Sequence, residues 1–199
     1  YSKKDIEKAI ESNSDKIKSE TASIDMIVDL LDDQKIVSVF SKGSESGRRA
    51  LGNRSILADP RSHSMKDMIN EKVKHRQWFR PFAPSILAEE ACNWFKQDIE
   101  SPYMTFVVDF KDEVKDKVPA VVHLNGTARL QTVTKNNNEA YYNLLKKWHK
   151  KSGVPILLNT SFNDREPICE TPDHAIDCFL RTNIDYLYFA DYDILVGKK

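Results

Sequence analysis

The sequence predicts a single α/β domain with a mixed sheet. Three observations carry this. Segments with apolar residues at helical spacing alternate with short runs rich in Val, Ile, Leu and aromatic residues, without a clean strand–helix–strand rhythm. The chain has 199 residues, 40% of them hydrophobic, which is enough for one buried core. No internal repeat is visible along it.

The elements follow in order. Residues 1 to about 20 are mostly charged and Ser-rich; 5–10 form a short helix and the rest reads as linker or exposed helix. Residues 1–22 are therefore taken as an extension and 23–199 as the domain. Ser23 caps a helix to about Leu31, with Ile24, Ile27, Val28 and Leu31 on one face. Residues 35–40 read as a strand, 56–58 as a short strand, and Asp59-Pro60 as a turn. Ser64 with Asp67 forms a capping box for a helix to about Val73. Two prolines keep 74–84 out of regular helix.

A strand at 85–88 and a short helix at 89–95 come next, then a β-like run at 104–109 centred on Val107-Val108. Residues 111–117 are a charged connection and 130–134 a strand. Asn136 with Glu139 opens a helix that Gly153 ends, and an apolar strand follows at 155–159. Thr171-Pro172 is a strong helix start. Residues 186–190 and 194–197 close the chain as a hairpin.

Thirty basic and thirty acidic residues cancel, so no global field draws the chain toward nucleic acid or a membrane. No apolar run approaches a membrane span, and the start has no signal-peptide pattern. Cys92, Cys169 and Cys178 are odd in number and far apart, which fits free thiols in a reducing compartment. A cytoplasmic protein is expected. The first residue is Tyr1 rather than methionine, which fits a piece of a longer protein.

The most informative stretch is 43–55. It holds three of the six glycines, together with Arg48, Arg49 and Arg54. Glycine lets backbone approach a ligand closely, and guanidinium forks fit phosphate or carboxylate oxygens. Three further segments join it: Lys74-x-Arg76 with Arg80, Gly126-Thr127-Ala128-Arg129, and Asn159-Thr160-Ser161-Phe162-Asn163. Together they supply planar donors, hydroxyls and backbone N–H groups for an anion with several oxygens. Taken singly, the last two segments are better read as a turn and a capped strand end. Six of the nine arginines fall between 48 and 80, where a merely solvated face would use lysine more freely.

Neither known phosphate-loop fingerprint is present. His63, His75, His123, His149 and His174 show no metal-ligand spacing, so no metal site is expected within this chain. Cys92 and Cys178 read as core residues on helix faces, and Cys169 has no activating base nearby in sequence. No nucleophile elbow is seen. Trp78, Phe79 and Phe82 interleave with Arg76 and Arg80; core packing is slightly favoured over stacking on a nucleobase.

As a set the segments resemble a known family. Residues 47–61 (Gly47-x-Arg49-Ala50-Leu51-Gly52-Asn53-Arg54 and onward) are similar to the signature of the C-terminal domain of NodU/CmcH-type O-carbamoyltransferases. Further blocks match in order: Arg80-Pro81-Phe82-Ala83-Pro84-Ser85, 125–133, 158–163, and Glu166-Pro167-Ile168 followed by Thr171-Pro172. The resemblance runs from about residue 24 to 197.

It implies a YrdC/Sua5-like fold, an open twisted mixed sheet with flanking helices. It also implies a biosynthetic transferase domain that binds ATP, with Mg2+, and carbamoyl phosphate, forming carbamoyl-adenylate through carbamate. A separate N-terminal Kae1-like domain, absent from this chain, would hold its own metal and pass the carbamoyl group to an acceptor hydroxyl. Under that resemblance Arg49, Lys74, Arg80 and Arg129 are the expected catalytic residues. Arg54, Arg76, Thr127, Asn159, Ser161 and Asn163 are the expected substrate and ATP contacts, with Arg54 and Arg76 also open to a structural role and Arg48 expected outside. The chain departs from the family at Lys42-Gly43 and at Asp164-Arg165. The alternatives are a YrdC-like module that binds nucleotide or RNA without complete catalysis, and a degenerate interaction domain. Zero net charge makes nucleic acid an unlikely partner.

Overall fold

A computed structural model describes residues 1–45 and 47–199. Ser46, part of the glycine–arginine window, lies outside them. The chain order is α1 (Lys3–Glu11), β1 (Ile17–Thr21), α2 (Ile24–Asp32), β2 (Val37–Phe40), β3 (Arg54–Ala58), α3 (His63–Lys72), β4 (Ala83–Leu87) and α4 (Ala91–Trp94). Then come β5 (Val107–Asp109), β6 (Thr127–Arg129), β7 (Gln131–Val133), α5 (Glu139–Ser152), β8 (Ile156–Ser161), α6 (Pro172–Arg181), β9 (Tyr186–Phe189) and β10 (Ile194–Lys198).

Eight strands form one sheet in the order β1-β10-β9-β2-β3-β8-β4-β7, and β5 pairs with β6 in a second, two-stranded sheet. β2 runs parallel to β9 and β4 parallel to β7; the other neighbours are antiparallel. The expected mixed α/β sheet is therefore present. Its central strands are buried on both faces. Ile56, Ala58, Ile156, Leu158, Leu187 and Phe189 point to one layer, with α1, α3 and α6. Val37, Val39, Leu57, Leu157 and Tyr188 point to the other, with α2 and α5. The two-residue period of strands makes this division.

Several expectations change in detail. Residues 17–21, read as linker or exposed helix, form β1 against β10, because Ile17 is buried there while the rest of the strand faces water. The Ser64–Asp67 capping box does not form: α3 starts at His63 after Ser62, and the Ser64 hydroxyl meets that of Ser62 at 2.9 Å. α5 opens two residues later than expected, on Asn138, whose side chain accepts from Tyr141 N. The β-like run 104–109 is strand only at 107–109, since Met104 takes a left-handed φ of 56°. The strand read at 130–134 is present as β7, while the segment just before it, read singly as a turn, forms β6. β6 serves the small sheet and β7 the large one, and Leu130 between them gives its N–H to Phe106 O and its carbonyl to the Ser101 hydroxyl. Cys178 is buried as expected, but Cys92 is exposed. Of the three aromatics, Phe82 is buried while Trp78 and Phe79 are exposed. No helix among the described residues is long and apolar enough to cross a membrane.

One close approach positions the glycine–arginine loop. Gly52 has φ +113°, and a Cβ there would lie 2.6 Å from Tyr141 Cδ1 and 2.9 Å from Asn138 Nδ2. The loop thus rests on the first turn of α5 with no space for a side chain. Gly52→Ala should lower stability by about 3 kcal/mol, from strained φ plus overpacking, and lower Tm by roughly 10 °C. Thermal unfolding of both chains checks this; an unchanged Tm would show that the loop yields freely.

Candidate functional site

Five loops converge beside the end of β8 on a cavity of about 580 Å³. Arg48 and Arg49 come from the β2–β3 loop. Lys74, His75, Arg76 and Arg80 come from the segment after α3. Met104 precedes β5, His123 and Arg129 lie before and within β6, and Asn163, Asp164 and Arg165 follow β8.

The segment after α3 is held by groups that few sequence rules would single out. Its backbone wraps back on the helix: Lys74 N donates to Ile69 O, His75 takes a left-handed φ of 43°, and Arg76 N donates to Asn70 O. Asn70 is fully buried. Its amide donates to the carbonyls of Trp78 (3.1 Å) and Arg80 (3.0 Å), and its oxygen accepts from Arg76 Nε at 2.7 Å. Arg76 also lies over the Phe82 ring, 4.7 Å from its centroid. Burial, then the neighbouring Arg80, lowers the Arg76 pKa to about 10.

Lys74 forms the base of the cavity. It is 3% exposed, and its Nζ donates to Ser161 O (2.5 Å), Asn163 O (2.8 Å) and Asn163 Oδ1 (2.7 Å), with Ser161 Oγ at 3.3 Å. The Ser161 hydroxyl donates to Asn163 Oδ1 at 2.7 Å. Burial, and next the charge of Arg76, lowers the Lys74 pKa to about 7.

The β2–β3 loop is tied down by Glu45 and by a polar network. Glu45 Oε1 accepts from the N–H groups of Leu51, Asn53 and Arg54. Asn159 Nδ2 donates to Ala50 O, Ser85 Oγ and Gln131 Oε1, while Gln131 Nε2 donates to Leu51 O. Arg49 stands near Arg48 and Arg129, and burial together with those charges lowers its pKa. His123 Nδ1 is 3.0 Å from Thr127 Oγ1; burial, then Arg129, lowers its pKa.

The structure brings Arg49, Lys74, Arg76, Arg80, Arg129, Asn159, Ser161 and Asn163 to one cavity. Two expected contacts stand apart. Arg54 is fully buried, with its guanidinium 3.4 Å from the Phe40 ring centroid and bonded to the carbonyls of Ser41, Gly43, Asn53 and Glu170. Thr127 supports His123 and Asn125 rather than lining the cavity. Arg48, expected outside, lines it. His75, His123 and Arg165 also line it and were missed, because each sits between or beside the recognised blocks.

Charge pairing separates the arginines. Arg61 pairs with Asp32 and Asp59, and Arg181 with Glu166 and Asp177. None of the six cavity arginines has a carboxylate within 4 Å among the described residues. Uncompensated guanidinium groups around one space favour anions there.

One further set of possible ligand atoms converges among the described residues: those of Glu166, Cys169 and Cys178 lie within 4.8 Å of one another. Burial alone would raise Glu166, but backbone N–H groups at 164–166 and the Arg181 guanidinium outweigh it and hold the carboxyl at about 2. Hydrogen bonding with Cys169, then burial, raises Cys178 and keeps it a thiol.

Comparison with known proteins follows the same lines. The family model described as "Carbamoyltransferase C-terminus" matches residues 28–196. The chain is 47% identical over 171 residues to nodulation protein NolNO of Sinorhizobium fredii, covering 84% of this chain and 25% of that protein. It is 46% identical over 160 residues to NolO of Bradyrhizobium diazoefficiens, covering 78% and 29%. It therefore spans about a quarter to a third of the length of such relatives. Among solved structures, full-length HypF in its phosphate- and nucleotide-bound form superposes with a TM-score of 0.58 at 16% identity, over 84% of this chain and 24% of HypF. A P. abyssi Sua5 variant superposes at 0.53 with 13% identity, over 77% and 42%. These likenesses establish a YrdC-like fold.

Lys74 gives the cavity a measurable pH response. Around pH 8 its amine is mostly neutral, since its pKa is about 7. A bound anion favours the ammonium, so binding takes up a proton and affinity falls as pH rises above about 7. Calorimetry with inorganic sulfate at about pH 8, in buffers of different ionisation enthalpy, should show uptake of up to about one proton by the wild-type chain and none by Lys74→Met. Equal uptake by both chains excludes Lys74 as the source.

Proposed function

This chain belongs to the carbamoyltransferase C-terminus family, and we propose that its cavity binds ATP and carbamoyl phosphate and forms carbamoyl-adenylate. The observation that carries the reading is the convergence of Arg48, Arg49, Arg76, Arg80, Arg129 and Lys74 on one space without carboxylate partners. Two polyanions brought together repel each other. A wall of fixed cations offsets that repulsion and favours the charge that grows on a departing pyrophosphate.

In the proposed reaction a carbamate oxygen bonds to the α-phosphorus of ATP while the bond to pyrophosphate breaks. Guanidinium groups cannot serve as bases at neutral pH, so Arg49, Arg80 and Arg129 act as charge and position. Ser161 and Asn163, already clustered on Lys74, are placed to turn toward an incoming oxygen anion. Mg2+ would arrive with ATP: Asp164 is the one carboxylate among the described lining residues, so phosphate oxygens would supply most of the ligands. Transfer to an acceptor hydroxyl is assigned to a separate N-terminal Kae1-like domain of the longer protein. HypF, of similar fold, is known in a phosphate- and nucleotide-bound form. The second reading, a module that binds nucleotide without chemistry, is served by the same cations, and turnover separates the two.

Incubation of the chain with ATP, Mg2+ and carbamoyl phosphate should release pyrophosphate only when both substrates are present. ATP binding without release would favour the binding module. Arg129→Ala should weaken nucleotide affinity about 10- to 100-fold, the scale of one charge-assisted contact; unchanged affinity would remove Arg129 from the site.

A further inference from the structure

We propose that His75 takes the proton from the water that cleaves carbamoyl phosphate to carbamate, and that Asp164 positions it. The inference rests on the reading of the cavity given above, and it deepens that reading by naming a proton acceptor. His75 Nδ1 lies 3.1 Å from Asp164 Oδ2, and both residues line the cavity. The Asp164 side chain is 10% exposed, and its Oδ1 is buried without a hydrogen-bond partner. Burying a carboxylate without a partner is unfavourable, and His75 is the one basic side chain within 4 Å of it among the described residues. The contact therefore dominates the surroundings of both groups.

A carboxylate facing Nδ1 at 3.1 Å favours the proton on that nitrogen and leaves the lone pair on Nε2. His75 keeps 37% of its side chain exposed. Its backbone sits at φ 43°, a region disfavoured for residues with a Cβ and found where structure around it over-determines the conformation. That turn sends Lys74 to the base of the cavity and the imidazole to its wall. The competing acceptors are poorer. Guanidinium groups hold their protons, Lys74 Nζ is engaged by oxygens of Ser161 and Asn163, and His123 rests on a hydroxyl rather than a carboxylate.

The step balances as follows. The water oxygen bonds to the carbamoyl carbon while His75 Nε2 takes one of its protons. The carbon–oxygen bond to phosphate then breaks, phosphate leaves with the electron pair, and the imidazolium returns the proton to it. Carbamic acid loses its own proton to water, giving carbamate.

The test follows phosphate release from carbamoyl phosphate by this chain, with ATP affinity measured beside it. His75→Asn should slow release about 100-fold, the scale of a general base, with ATP affinity kept within about threefold. Imidazole added to His75→Ala should restore part of the rate. In Asp164→Asn the rate should fall about 10-fold, and long-range proton–nitrogen NMR should show His75 leaving the Nδ1–H tautomer that it holds in wild type. Undiminished release in His75→Asn, or a wild-type ring protonated on Nε2 alone, overturns the assignment while leaving the cavity reading intact. A wild-type chain that binds ATP yet releases no phosphate overturns the reaction and the step given to His75 with it.

Discussion

An ammonium group buried against four oxygens organises this site. Lys74 reaches from the end of α3 to the end of β8, and its Nζ gathers the carbonyls and side chains of residues 161 and 163 around itself. The strand's last carbonyl, on Ser161, turns toward the amine, and that of Asn163 just beyond it does the same. The segment beyond Lys74 then starts from a fixed point, and Asn70 holds its next turns. Two walls of the cavity descend from this one contact. It is also poorly solvated, which is why its charge is only half committed near neutral pH.

Beside the carboxylates of Glu45 and Glu166, neutral polar groups hold much of the scaffold around the cavity. Asn70, Asn159, Ser85 and Gln131 hold the loops through amides and hydroxyls, all of them buried. Such groups fix geometry without cancelling charge. Arg49 stays beside Arg129 and Arg76 beside Arg80; burial first, and then those neighbouring charges, lower the pKa values of Arg49 and Arg76. The arginines that stabilise the fold do the opposite, as Arg61 shows on Asp32 and Asp59. Placing neutral donors behind unpaired cations trades stability for a site ready to take an anion.

Much of this was legible in the chain itself. Apolar periodicity located the helices and central strands, since those residues answer to one core on each face of the sheet. The Thr171-Pro172 start and the Gly153 stop hold because capping is a local property. Caps competing with nearby alternatives were misplaced: Ser62 over Ser64, Asn138 over Asn136. β1 was invisible because an edge strand with one buried residue has no period to read. Within the site, clustered arginines pointed to the right segments but not to which side chains face the cavity. Arg54 has the chemistry of a ligand contact, yet it turns inward over Phe40, since its strand neighbours leave a polar-lined space behind the loop. His75 escaped notice because its partner, Asp164, is 89 residues away and only folding brings them together.

The pairing of β1 with β10 bears on where this domain can be cut. A boundary at residue 23, natural from composition, would strip a whole ladder from the sheet margin. Leu195 and Gly197 would then lie on an unpaired edge, with their N–H and C=O groups open to any passing strand. The charged opening segment thus works as a protective hem, keeping the sheet from recruiting a second copy of itself.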